Sequence, residues 1–132
     1  MQGYHANIEE VTIQNNNFRE VLYTGKHSQL VVMSIKPGEE IGNEKHTLDQ
    51  FFRVEKGKAK VVLNNGETEY EVTDDFAFII PAGTWHNVIN TGQEDLKVYT
   101  IYSPPEHQDK TVHATKADAQ AHEEHFDGVT TE

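Results

Sequence analysis

The feature that most constrains the fold is a series of short apolar runs separated by turn residues. Val, Ile, Phe and Tyr are concentrated in the runs, and Gly, Pro, Asn and Asp stand between them. Short strands at regular spacing favour an antiparallel sandwich or jelly-roll barrel over alternating strands and helices. The predicted strands are Phe18–Thr24, Gln29–Ile35, Gln50–Glu55, Lys60–Leu63, Glu67–Val72, Phe76–Ile80, Trp85–Ile89 and Leu96–Tyr102. We therefore predict an all-β, antiparallel jelly-roll β-barrel.

Alternation within the runs predicts which side chains face the interior, because successive residues of a strand point to opposite faces. The residues predicted to line the barrel are Phe52, Val54, Phe78, Ile80, Val88 and Tyr102. Phe51 and Arg53 fall on the outer face of their strand, where Arg53 is expected to form a salt bridge. The outward Phe51, together with a polar N-terminal strand that has no obvious partner, predicts a homodimer.

The two ends of the chain carry weaker signals. Ile8–Ile13 alternates and predicts a short edge strand, followed by a turn at Asn15–Asn17. After the last strand, Thr115–Asp118 resembles a capping box and predicts a short C-terminal helix over about Ala117–Glu124. We expect one domain over residues 1–132, with a barrel core at about 18–103 and a C-terminal extension at 104–132.

Charge and cysteine content restrict the partners. Eleven basic and 22 acidic residues give a formal net charge of −11, which repels phosphate backbones and anionic lipid, so no nucleic-acid or membrane partner is expected. No apolar run is long enough to span a bilayer, and no charged-then-apolar leader precedes the first strand. The absence of Cys excludes disulfides and thiolate ligands and fits the expected cytoplasmic location. A small-molecule substrate or ligand is the expected partner.

Four residues predict a metal site. Glu44 and His46 alternate, so an extended segment would project both into one cavity, and Gln50 follows after a short turn. A second stretch supplies His86. Two imidazoles, a carboxylate and an amide oxygen form a suitable set for one divalent ion, such as Zn, Mn, Fe or Ni. The alternatives are an exposed Glu44, hydrogen-bonded buried histidines, and a Gln50 that supports a ligand without touching the metal.

The remaining candidates lie outside this set. His5, His27, His107 and His113 are predicted to be mostly surface residues, although His27 and His107 are placed to line a cavity mouth. His122 and His125 are three residues apart, unlike the histidines of the zinc-protease helix motif, and a solvated acidic tail is expected there. Trp85 is expected to pack in the core or at an interface.

The two stretches resemble the paired motifs of the cupin superfamily. In the first, Gly38, His46 and Gly57 match, with Glu44 in place of the usual first His and Gln50 in place of the usual Glu. In the second, the matching residues are Pro81, Gly83, His86 and Asn90, and Asp75 replaces the usual first Gly. The resemblance covers about Leu30 to Ser103. It implies a small single-domain cupin whose metal ligands are Glu44, His46, Gln50 and His86.

Three functions follow from the metal interpretation. The ligand set is similar to that of zinc mannose-6-phosphate isomerases, with Glu and Gln exchanged, which implies a sugar isomerase or lyase using the metal as a Lewis acid. The two-His, one-carboxylate subset suits an Fe(II)-dependent dioxygenase. The third alternative is a non-catalytic small-ligand-binding or sensing cupin, because no free general base stands out in the sequence.

Overall fold

The computed structural model describes residues 1–132 as two antiparallel sheets with a short helix near each end of the chain. The elements are α1 (Ile8–Gln14), β1 (Arg19–Thr24), β2 (Gln29–Ile35), β3 (Asp49–Lys56), β4 (Lys58–Leu63), β5 (Thr68–Thr73), β6 (Ala77–Ile80), β7 (His86–Asn90), β8 (Leu96–Ser103), β9 (Val112–His113) and α2 (Lys116–Ala121). The larger sheet has the order β6-β3-β8-β2-β1-β9, and the smaller has the order β5-β4-β7. The predicted antiparallel jelly-roll fold is confirmed. None of the helices is long and apolar enough to cross a membrane.

The core lies between the two sheets and is built from the inward-facing residues of each strand. All six residues predicted to line the barrel are buried, and the Phe52 and Phe78 rings stack with their centroids 4.8 Å apart. Burying a side chain of this size contributes about 1.5–3 kcal/mol relative to leaving it exposed. On the outer face, Arg53 forms the predicted salt bridges, to Glu55 at 3.3 Å and Asp75 at 3.1 Å.

Two glycine-containing turns shape the smaller sheet. Asn64, Asn65 and Gly66 have φ angles of 54°, 56° and 102°, and they connect β4 to β5 as the predicted hairpin. Asn and Gly tolerate this left-handed region better than other residues. Gly57 has a φ of 114°, and a Cβ atom there would lie 3.2 Å from the Leu96 backbone. The turn from β3 into β4 therefore requires glycine for both its conformation and its close packing.

The predicted N-terminal edge strand is wrong, because residues 8–14 form helix α1. The Asn7 side chain accepts a hydrogen bond from the Glu10 amide at 3.1 Å and caps the helix. Thr12 is fully buried, and its hydroxyl donates to the Ile8 carbonyl. The helix packs against β8, β3 and β2, and Lys97 on β8 donates to the Asn15 carbonyl at its end. The less exposed side chains of this segment recur three and four residues apart, as in a helix, and Asn7 caps its first turn. These two features outweigh the strand-like alternation of Ile8–Ile13.

The C-terminal segment folds back onto the barrel. The predicted capping box is confirmed, since the Thr115 hydroxyl accepts from the Asp118 amide and the Asp118 carboxylate accepts from the Thr115 amide. Helix α2 ends at Ala121, three residues before the predicted end. The short strand β9, which the sequence did not predict, pairs with β1 at the sheet edge. The Phe126 amide donates to the Glu106 carbonyl at 2.8 Å, so the chain beyond α2 stays beside the barrel.

Candidate metal centre

A backbone bridge places the first two site residues opposite each other. The Glu44 amide donates to the His86 carbonyl, and the His86 amide donates to the Glu44 carbonyl, each at 2.9 Å. Glu44 is otherwise in an irregular segment, so the predicted extended strand through Glu44 and His46 is reduced to this one bridge. His86 begins β7, and Gln50 is the second residue of β3. The two predicted stretches therefore meet at the same end of the barrel.

Three ligating side chains converge there. Glu44 Oε1 lies 3.4 Å from His46 Nε2 and 3.8 Å from His86 Nε2. One ligating atom from each of these residues can be chosen so that all three lie within 4.8 Å of one another. This spacing suits a single ion bound at about 2.0–2.2 Å from nitrogen and oxygen ligands.

The hydrogen bonds around the cluster leave its inward atoms free. His86 Nδ1–H donates to the Thr84 carbonyl at 2.9 Å, which leaves a lone pair on Nε2. Gln50 is 1% exposed, and its amide nitrogen donates to the Thr100 hydroxyl at 3.0 Å. His46 Nε2, His86 Nε2 and Gln50 Oε1 are all buried without a hydrogen-bond partner. Buried polar atoms rarely lack a hydrogen-bond partner in native proteins, and these three are of the type that could bind a metal ion.

The same proximity shifts the ionisation of the cluster. Burial acts to raise the pKa of Glu44, but the imidazole of His46, whose Nε2 is 3.4 Å from the carboxylate, outweighs burial and holds that pKa below its ordinary value. Burial acts to lower the pKa of His46, but Glu44 and Glu106 outweigh it and raise it above the usual value. Burial lowers the pKa of His86, so this imidazole is neutral and ready to donate its lone pair.

A polar cavity of about 470 Å³ opens over Glu44 and His46, which line it, whereas His86 and Gln50 do not. Sequence reasoning identified His107 at its mouth but missed Arg19, Glu106 and Glu124, which line the same space. Only four of the sixteen lining residues are hydrophobic, which favours a hydroxylated or charged ligand over an apolar one. The predicted place of His27 at the mouth is wrong, since it is exposed and does not line the cavity.

A hydrogen-bonded chain leads from the cavity wall to the C-terminal segment. His107 Nε2 lies 3.2 Å from the Tyr102 hydroxyl, and His107 Nδ1 contacts the Glu124 carboxylate. Burial lowers the pKa of His107, so its neutral ring donates to Glu124 and accepts from Tyr102. The expected solvated tail is wrong at Glu124, whose side chain is 13% exposed and also lies 3.6 Å from His113. These contacts form by tertiary packing and have no local sequence signal.

Trp85 does not pack in the core, which was one half of its prediction, whereas its packing at an interface stays a prediction. It is 41% exposed and precedes β7, so it packs in neither sheet interior. The Lys45 ammonium lies 5.4 Å from the centre of its ring. A cation over the face of an indole is a favourable contact in water-exposed positions. Lys45, which also lines the cavity, is thus in contact with a partly exposed aromatic ring.

Comparison with known proteins places these observations in a family. The chain is 51% identical over 124 residues to the uncharacterized protein YrkC of Bacillus subtilis, covering 90% of this chain and 67% of that one. The crystal structure of BH2720 from Bacillus halodurans is 51% identical and superposes with a TM-score of 0.90, covering 92% and 96% of the two chains. Auxin-binding protein 1 of Arabidopsis thaliana is 31% identical over 94 residues, which are 64% of this chain and 46% of that one. The family profile described as "Cupin domain" matches residues 31–102, so the chain belongs to the cupin family.

Proposed function

We propose that the chain binds one divalent metal ion through Glu44, His46, Gln50 and His86. The observation that carries the proposal is the set of three buried ligand atoms without hydrogen-bond partners, beside the Glu44 carboxylate. Leaving such atoms unsatisfied costs about 1–3 kcal/mol each. A bound ion would satisfy all of them at once. Zn, Mn, Fe and Ni all suit mixed imidazole and oxygen ligands.

The reaction we propose is of the sugar isomerase or lyase type, on a small oxygen-bearing substrate in the cavity. When bound, the metal supplies Lewis-acid polarisation of a carbonyl or hydroxyl oxygen. Glu44 would be the only anionic ligand, because Gln50 contributes a neutral amide held in place by Thr100. Thr100 in turn donates to the Phe51 carbonyl at 2.8 Å, which fixes the amide orientation. Such a site leaves more positive charge on the ion than a site with two carboxylates.

The chain's own residues can hold or move a proton beside the metal. The Tyr102 ring lies edge-on to the His46 ring, with centroids 5.9 Å apart, and its hydroxyl meets His107. Burial raises the pKa of Tyr102, so it remains a protonated donor. His107 is then the candidate base and Glu124 the group that orients it, the role expected of a carboxylate on the far ring nitrogen. The contacts of His107 with Tyr102 and Glu124 support this acid–base role, which was not evident in the sequence.

A non-catalytic small-ligand-binding role is the second candidate, supported by the likeness to a protein named for binding auxin. An Fe(II)-dependent dioxygenase is the third, supported by the Glu44, His46 and His86 subset. Oxygen uptake with ferrous iron would favour the dioxygenase. Ligand binding with no product after metal loading would favour the binding protein.

Elemental analysis of purified protein tests the metal proposal. We expect one divalent ion per chain in the wild type, none in His46→Ala or His86→Ala, and one in Gln50→Glu. The control is His27→Ala, which removes an exposed histidine outside the cavity. Wild-type protein that stays metal-free after incubation with each of the four candidate ions would refute the site.

Once a substrate is found, we expect Gln50→Glu to lose most of its turnover, since a second carboxylate weakens the Lewis acid.

For assembly, we propose a homodimer. The N-terminal strand that first motivated it does not exist, but Phe51 faces outward between Ile79 and Ile101 on neighbouring strands. Ile79 is 60% exposed, so this row is an apolar strip on the outer face of the larger sheet. Light scattering should give twice the chain mass of 15.0 kDa, and the monomer mass would refute the proposal.

A further inference from the structure

The cavity contains a cation that the metal site does not explain. Arg19 begins β1, faces inward, and is 9% exposed. Its Nη1 lies 3.4 Å from His113 Nδ1 and its Cζ lies 5.3 Å from the centre of the Phe18 ring, but its Nε is buried without a hydrogen-bond partner. No carboxylate of the chain lies within 4.0 Å of its guanidinium nitrogens. Burying a charge without a counter-ion is strongly unfavourable, so this arrangement calls for a functional reason.

Comparison with Arg53, the other arginine of the chain, shows which contacts Arg19 lacks. Arg53 on the outer face of the same sheet pairs with both Glu55 and Asp75, at 3.3 and 3.1 Å. Arg19 lines a wall that also carries carboxylates, yet it pairs with none of them. Each arginine has an Nε without a hydrogen-bond partner, so the two differ in their carboxylate contacts, which only Arg53 has.

Three of the four carboxylates that line the cavity are already engaged elsewhere. Glu44 lies between the two site histidines, Glu106 contacts His125 at 3.1 Å, and Glu124 contacts His107. The lining residues carry four carboxylates against three Lys or Arg cations, a balance of −1. A bound divalent ion changes that balance to +1. The loaded cavity is then suited to an anion although the whole chain has a net charge of −11.

We infer that Arg19 binds the carboxylate of the ligand, so that a hydroxyl or carbonyl oxygen of the same molecule would be directed toward the residues that would hold the metal. This inference rests on the proposed metal site and narrows its substrate class to hydroxylated carboxylic acids of sugar-acid size. A guanidinium matches the planar carboxylate with two parallel N–H donors. The cavity of about 470 Å³ lies within the usual range for small-molecule sites. The single arginine fits a monoanionic carboxylate better than a phosphate, which would place more negative charge among the four glutamates.

The test uses a matched pair of probes that differ at one carbon. D-Glucuronate carries a carboxylate where D-glucose carries a hydroxymethyl group. Isothermal titration of zinc-loaded protein should show wild type binding glucuronate at least ten-fold more tightly than glucose. Arg19→Gln should lose this preference, and Arg19→Lys should keep part of it. Arg53→Gln, which makes the same charge change on the outer face, should keep all of it.

Zinc content and thermal midpoint are measured for every variant, so that misfolding and metal loss are seen directly. If the wild type binds no metal, the proposed function fails whatever the sugars do. If metal binds in all variants but glucuronate and glucose bind alike, or Arg19→Gln retains the preference, the inference about Arg19 alone is wrong. An equal weakening of both sugars in Arg19→Gln would assign Arg19 a structural role and would also overturn it. Arg19→Lys, which keeps the charge, separates anion binding from packing.

Discussion

The two ends of the barrel interior are built on the same strands but differ in chemistry. Strand β3 places Gln50, Phe52 and Val54 on one inner face, exposed by 1%, 1% and 0%. At one end, Phe52 and Val54 meet other apolar side chains. At the other, Gln50 lies among polar groups with its carbonyl oxygen unpartnered. Strand geometry thus determines which side chains are buried, and the residue at each position decides whether burial stabilises the fold or prepares a site.

Because of this difference, we expect the apolar end to stabilise the fold and the polar end to destabilise it. The apolar end contributes about 25 cal/mol for each Å² removed from water. The polar end, which we call the metal-site end, holds Arg19, His46, Gln50 and His86 with buried atoms that have no hydrogen bond. Natural proteins retain such groups where function requires them, at some expense of stability. Measurements of unfolding free energy can separate the two contributions.

The largest expected effect is at the apolar end. Phe52→Ala should lower the free energy of unfolding by about 3–5 kcal/mol, because it removes a stacked ring from a fully buried position. Denaturant unfolding of metal-free protein measures it. The control is Phe76→Ala, since Phe76 is 48% exposed and should change stability far less. Similar losses for both variants would show that the apolar end does not dominate stability.

A smaller effect should follow from metal binding. Free metal at 100 times its dissociation constant should raise the free energy of unfolding by about 2.7 kcal/mol, because the ion binds only the folded chain. Thermal unfolding with metal, and again with excess chelator, measures the difference. His86→Ala should show no such increment, whereas Phe52→Ala should keep it if its site remains formed. An equal increment in His86→Ala would place metal binding elsewhere on the chain.

Replacing a polar residue at the metal-site end should have less effect still. Gln50→Leu should change the unfolding free energy of the metal-free protein by less than about 1 kcal/mol, because it removes one hydrogen bond and one unpartnered oxygen together. The same variant should bind metal more weakly. A loss comparable to that of Phe52→Ala would show that Gln50 is part of the stabilising core.

The smallest effect concerns pH and the contact between His107 and Glu124. Burial keeps the pKa of His107 below 6.5, so protonation favours the unfolded chain and stability declines as pH falls below that value.

The pKa of Glu124 is also lowered, because the hydrogen bond with His107 outweighs burial. The stability that Glu124 contributes is fully present above pH 4.5. It is lost as the pH falls through the pKa that Glu124 has in the folded chain. Glu124→Gln should be less stable than wild type at neutral pH, and the difference should vanish in acid. A constant difference at every pH would exclude this ionic contribution.

The sequence predicts features that repeat and misses features that arise from distant contacts. Strand limits and inward faces follow from alternation and turn residues, and the spacing of Glu44, His46 and His86 is visible in the chain itself. The helix at residues 8–14 depends on one capping side chain, Asn7, and so has little statistical weight in the sequence. Arg19 joins the cavity because β1 pairs with β9 and brings it opposite His113, 94 residues away. No pattern of neighbouring residues in the sequence predicts the pairing of β1 with β9.

The reciprocal backbone bridge between Glu44 and His86 has a consequence for how metal preference can change within a family. Main-chain hydrogen bonds hold these two positions together whatever side chains they carry. A substitution at Glu44 can therefore exchange a hard oxygen donor for an imidazole while the scaffold stays intact. Glu44→His should shift selectivity from Mn and Fe toward Zn and Ni, which competitive loading from an equimolar mixture would detect. Unchanged selectivity would show that other ligands set it. In the proposed site, a change of metal preference would need only one new side chain and no change of fold.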